Sequence, residues 1–156
     1  MQRITPNLWF DTEAQEAAAF YVSIFPNSRI VNVARYPEGA PRAAGMVMTV
    51  EFELDGERLI AINGGSQFSF DEAVSLMITC ETQTEVDHYW DRLSEGGSEG
   101  PCGWLKDRYG LSWQVVPSGM DEIFASPDPE RAQRAMQAML GMGKLDVAAL
   151  QAAADG

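Results

Sequence analysis

A chain of 156 residues, 46% of them hydrophobic, has the length and apolar content of one domain with a buried core. With 11 basic residues against 23 acidic ones, the net charge of −12 repels phosphate backbones and anionic lipid and argues against nucleic acid or a membrane surface as partner. Apolar runs fall short of the roughly 18 residues of a membrane span, and MQRITPNLWF lacks a signal-peptide apolar stretch, so a cytoplasmic protein is expected. Cys80 and Cys102 form no CxxC pair and are read as free thiols.

In chain order, Ile4 to Phe10 reads as a strand, and Thr12-Glu13-Ala14-Gln15 has capping-box spacing. The helix that follows carries Ala14, Ala17, Ala18, Tyr21, Val22 and Phe25 on one stripe and stops at Pro26. Ile30 to Tyr36 and Met46 to Leu54 read as strands separated by a Pro/Gly/Ala loop. Asp55-Gly56 is a hairpin signal, and the chain returns through Arg58 to Asn63 to Gly64-Gly65.

The order then restarts: strand Val74 to Cys80, a second capping box Thr82-Gln83-Thr84-Glu85, and a helical stripe of Val86, Tyr89, Trp90 and Leu93. That stripe lies 68 residues beyond Ala18, Tyr21, Val22 and Phe25, and Glu13/Glu81, Gln15/Gln83 and Tyr21/Tyr89 are identical at the same offset. Asp107-Arg108-Tyr109-Gly110 is a tight reversal, its Gly110 suited to a positive φ, that feeds the strand Leu111 to Val116. In that strand Leu111, Trp113 and Val115 share one face, and Ser112, Gln114 and Val116 the other. Asp107 and Arg108 are expected to hold the hairpin rather than a ligand.

The pattern predicts one α+β domain over 1–156, with βαβββ modules at about 1–68 and 69–120 and a helical tail at about 126–154. The tail opens at Asp128-Pro129, keeps Ala132, Ala135, Met136, Met139 and Leu140 at helical spacing, breaks at Gly141 and Gly143, and restarts at Asp146. Met136, Met139 and Met142 read as ordinary core more readily than as a partner surface.

ITPNLWFDTEAQEAAAFYVSIFPNS, RYPEG, VMTVEFELDGERLIAINGG, CGWLKDRYGLSWQVVP and PDPERAQRAMQAML together resemble the PhnB-like family, also labelled 3-demethylubiquinone-9 3-methyltransferase-like, of the glyoxalase/bleomycin-resistance (vicinal oxygen chelate) superfamily. The resemblance implies two βαβββ modules of the glyoxalase/bleomycin-resistance/dihydroxybiphenyl dioxygenase type, curved around a cleft and assembled as a homodimer. Metal-dependent members of the superfamily carry their ligands on the inward faces of the first and last strands of each module. Here those positions fall on Asn7, Ser75, Gln114 and either Ala61 or Asn63. Neutral amides and a hydroxyl are weak ligands for divalent transition metals, so no metal and no cofactor is expected.

Asn7, Asn63, Ser75 and Gln114, with Trp9 and Trp104 as aromatic walls, form the expected site for a small-molecule ligand. A methyltransferase, as the family label suggests, and a dimeric interaction module without ligand are the competing readings. The chain has no strand, glycine-rich loop and helix of a nucleotide site to support methyl transfer from S-adenosylmethionine. His88, the single histidine, sits within the second helix pattern and reads as a surface or packing residue, and neither cysteine has the basic setting of a nucleophile.

Overall fold

Alternating apolar residues and two amphipathic helices produce the same layered motif twice in the computed structural model, which describes residues 2–156. The chain divides into two units, one ending at Phe70 and the other spanning Asp71–Gly156.

The first unit contains β1 (Asn7–Phe10), α1 (Ala14–Val22), β2 (Arg29–Arg35), β3 (Val47–Leu54) and β4 (Glu57–Asn63). Its sheet order is β1-β4-β3-β2, with β1 parallel to β4 and the other pairs antiparallel. Ala14, Ala17 and Ala18 are fully buried beside Tyr21, which stacks on Phe52 of β3 at 6.3 Å. The small alanines let α1 lie close on the sheet, whose helix-facing side is Leu8, Phe10, Val50, Phe52, Leu59 and Ala61. Asp55 and Gly56 turn the β3–β4 hairpin with φ of 47° and 84°, the double positive φ of a primed turn.

Two local expectations change here. The opening strand begins at Asn7 rather than Ile4, which is 86% exposed; Pro6 has no N–H with which to extend the ladder. The first capping box does not form: Glu13 is the N-cap without a side-chain cap bond, and the Ala14 N–H instead donates to Asn63 Oδ1 at 2.9 Å. A residue 49 positions away, invisible to a local motif, caps the helix.

The second unit contains β5 (Ser75–Cys80), α2 (Gln83–Ser94), β6 (Ser98–Glu99), β7 (Trp104–Lys106) and β8 (Ser112–Pro117), with sheet order β5-β8-β7-β6. Again the first strand runs parallel to the last, so the repeat read from the sequence is a repeat of topology. The second capping box forms, with Glu85 N–H donating to Thr82 Oγ1 at 3.2 Å and Glu81 N–H to Glu85 Oε2 at 2.6 Å. Val86, Trp90 and Leu93 are buried where α2 packs on β7 and β8.

Three helices follow: a short α3 (Met120–Phe124) that the pattern did not announce, α4 (Pro129–Leu140) and α5 (Val147–Asp155). Asp128 caps α4 and Asp146 caps α5 through backbone N–H groups at 3.0 and 2.9 Å. Ile123, Ala135, Leu145, Leu150 and Ala154 form their shared core, with Met139 and Met142 packed against it. Met136, expected in that core, is 42% exposed. No helix among the described residues is long and apolar enough to cross a membrane.

Candidate functional site

Strand alternation decides which candidates share a surface. In the first unit Asn7 pairs with Ile60 and Trp9 with Ile62, so these four lie on the side of the sheet away from α1. Asn63 lies on the other side, 1% exposed, where its amide accepts from Ala14 N–H and donates to the Val47 carbonyl at 3.1 Å. It is a fixed part of the α1 packing and does not join Asn7 and Trp9. The position matching Gln114 is Ile62: Trp9 pairs with Ile62 as Met77, 68 residues after Trp9, pairs with Gln114. Neither Ala61 nor Asn63 occupies it, because both face α1.

Asn7 is exposed and donates to the Thr5 carbonyl at 2.9 Å. The Trp9 indole N–H donates to the Gly65 carbonyl at 2.9 Å, and its ring meets Phe68 edge-on at 5.1 Å. A Cβ on Gly64 would lie 2.1 Å from the Trp9 ring, so glycine is what lets the ring lie flat on the backbone. Trp9 is thus packed within its own unit.

In the second unit the expected residues converge. Gln114 Nε2 donates to Ser75 Oγ at 2.9 Å, and Gln114 pairs with Met77 on one side and Trp104 on the other. Ser112 pairs with Ser75 and Lys106, continuing the same face. The hairpin is fixed by Asp107, 2% exposed, whose carboxylate accepts from the Tyr109 and Leu111 N–H groups at 2.8 and 3.1 Å and from the Trp113 indole at 2.9 Å. Its expected structural role follows from these bonds, and Gly110 takes a φ of 87°.

A cavity of about 630 Å³ opens beside the β6–β7 hairpin, lined by Glu72, Glu99, Cys102, Trp104, Lys106 and Ser112 among others. That volume lies within the usual range for small-molecule sites. Lys106 is ion-paired with Glu72, whose carboxyl it holds below the ordinary value. Glu99 accepts from the buried Trp90 indole at 3.0 Å. Of the candidates read from the sequence, Trp104 lines this cavity; the pairing of β7 with β8 adds Lys106 and Ser112 to the Trp104 face, whereas Glu99 pairs with Leu105 and reaches Trp90 on the α2 side.

The wall that includes Cys102 is braced from the tail. Cys102 N–H donates to the Met142 carbonyl at 2.8 Å, Gly103 N–H to the Gly143 carbonyl at 2.9 Å, and the Cys102 thiol to the Met139 carbonyl at 3.6 Å. Cys102 and Gly103 both take positive φ, 57° and 82°, and a Cβ at 103 would meet the Val115 carbonyl at 2.8 Å. Cys80, by contrast, is 1% exposed, and desolvation, followed by the Glu85 charge, pushes its thiol up to about 11, which leaves it unreactive at neutral pH.

The donor set does not suit a metal. Asn7, Ser75 and Gln114 offer only neutral amide and hydroxyl oxygens, weak donors for a divalent transition metal, and Ile62 at the fourth position offers no donor atom. Among the described residues no three His, Cys, Asp or Glu side chains gather at a ligating distance. His88 is exposed on α2 against Tyr89, ring centroids 5.0 Å apart.

The sequence profile described as 3-demethylubiquinone-9 3-methyltransferase matches residues 2–116, most of the chain and all of both sheets up to the penultimate residue of β8. The chain belongs to this family. The PhnB protein of Bacillus cereus, which carries the same methyltransferase designation, is 36% identical; the alignment covers 75% of this chain and 100% of that one, with a TM-score of 0.68. For the fold alone, a Pseudomonas aeruginosa protein is 19% identical with TM-score 0.63, covering 75% of this chain and 98% of the other. The fosfomycin resistance protein FosX of Listeria monocytogenes is 15% identical with TM-score 0.55, covering 78% and 94%. These likenesses place the PhnB-like chain in the vicinal oxygen chelate fold. No curated protein matches it. The family profile ends at residue 116, before α3–α5, so the helices that brace the Cys102 wall lie beyond the matched region.

Proposed function

We propose that this PhnB-like protein binds a small organic molecule, without a metal, in the cavity of its second unit. The observation that carries the reading is the 630 Å³ cavity, which has an aromatic wall at Trp104 and polar groups only at a few points. Binding is favoured over catalysis because the titratable groups there are engaged with the protein: Lys106 with Glu72, and Glu99 with Trp90. No histidine lines the cavity, and the Cys102 thiol is turned to a carbonyl. A homodimer, which the family resemblance implies, and a cytoplasmic location, which the sequence pattern suggests, remain part of the proposal, and light scattering measures the assembly directly.

The test is a fragment screen by native mass spectrometry with and without EDTA. Retained fragments are expected to bind equally in both conditions and to lose about tenfold in affinity in Trp104→Leu, since a stacked aromatic contact and its area are removed. Binding that vanishes with EDTA, or that survives Trp104→Leu and is lost in Trp9→Leu, would overturn the proposal.

A further inference from the structure

One side of the cavity is closed by the turn Gly100-Pro101-Cys102, between β6 and β7. The Cys102 and Gly103 N–H groups donate out of this turn to the Met142 and Gly143 carbonyls at 2.8 and 2.9 Å, and the Cys102 thiol donates to the Met139 carbonyl at 3.6 Å. All three acceptors belong to the helical tail. Cys102 also holds a φ of 57°, a left-handed conformation that a side chain with a Cβ disfavours, so the turn has strain to relieve once those bonds let go.

The segment that supplies two of the carbonyls, residues 141–146 between α4 and α5, is gripped from α2. The Gln83 side chain donates to the Leu145 carbonyl at 3.0 Å and accepts from the Val147 N–H at 2.9 Å, so one amide holds the chain on both sides of Asp146. Leu145 is fully buried, and a Cβ on Gly103 would come within 2.9 Å of its side chain, which puts the segment directly behind the turn. Lys144 adds ion pairs to Asp87 and Asp91 at 3.3 and 3.2 Å, but pairs this open to solvent contribute little. Gln15, 68 residues earlier in the repeat, is exposed, whereas the bonds to the tail half-bury Gln83.

We infer that residues 141–146 are a latch on the cavity, with Gln83 as its catch: docked, they hold the turn closed as a wall, and released, they let it relax and open that side to solvent. The latch lies beyond residue 116, where the family profile ends, so it works a wall of the shared fold from outside the matched region. It acts on the wall whether or not a small molecule occupies the cavity.

Hydrogen exchange of the full chain, followed by NMR, tests the latch with Gln83→Met, which keeps the length of the side chain and removes both bonds. In the wild type the Cys102 and Gly103 amides are expected to share one protection factor, at least about tenfold below that of Trp113 in the middle of β8. Gln83→Met should lower the shared value by about tenfold and leave Trp113 within about twofold, while Lys144→Met should lower it by less than about threefold. Thiol labelling with DTNB reads the same opening from the cavity side: Cys102 should react about tenfold faster in Gln83→Met, with the buried Cys80 still unreactive. Unchanged protection at Cys102 and Gly103 in Gln83→Met would overturn the latch, because the segment would then be held without its catch. Equal losses at Trp113, together with labelling of Cys80, would overturn it too, since the turn would then open only when the whole unit unfolds.

Discussion

Asp107→Ala is expected to destabilise the protein by about 3–5 kcal/mol, a drop of roughly 10 °C in melting temperature for a chain of this size. The carboxylate is 2% exposed and accepts from two turn N–H groups and the Trp113 indole, so its removal strands three donors, one of them on a tryptophan that is itself 2% exposed. Asp107→Asn tests the charge and geometry separately. An amide can still accept from the two backbone donors, but its NH₂ would then face the Trp113 N–H, donor against donor. It should therefore recover part of the loss and not all of it. Thermal melting of both variants checks this, and a change below about 2 °C in Asp107→Ala would show that the hairpin does not depend on this residue.

Asn63→Ala is expected to cost about 2–4 kcal/mol while leaving small-molecule binding unchanged in the folded protein. The buried amide caps α1 through the Ala14 N–H and holds the Val47 carbonyl; alanine leaves both backbone groups unpaired and a void beside them. Asn63→Asp keeps an acceptor for the helix N-terminus, where negative charge is favourable, but sets a second oxygen against the Val47 carbonyl. It should fall between wild type and alanine. A variant that melts like wild type but no longer binds the fragments would return Asn63 to the ligand site.

The contrast between these residues shows what a sequence exposes. Period-two alternation in SWQVVP gave the two faces of β8 and put Gln114 opposite Trp113, and the register bears this out. The Thr82–Glu85 box is local, and it forms. The Thr12–Gln15 box has the same spacing but is displaced by Asn63, an override that depends on β4 ending beside the start of α1. The family pattern sets its fourth ligand position near the end of the Arg58 to Asn63 stretch, on Ala61 or Asn63; counting alternation from the pairing of β1 with β4 puts both on the face opposite Asn7. Ser112 and Glu99 carry no motif. Ser112 is set apart by a hydroxyl without a partner among the described residues and Glu99 by its bond to the Trp90 indole, and only the assembled sheet shows either.

The chain has 4 tryptophans, and three of their indole N–H groups are tied to acceptors in the protein while that of Trp104 is free among the described residues. Their ¹⁵N–¹H indole signals, assigned by single Trp→Phe variants and followed while a bound fragment is titrated in, therefore report the site directly. The Trp104 signal is predicted to move furthest and toward lower field as it gains an acceptor, with Trp9 and Trp113 nearly still. A titration in which the Trp9 signal moves and that of Trp104 does not would contradict a binding site in the second unit.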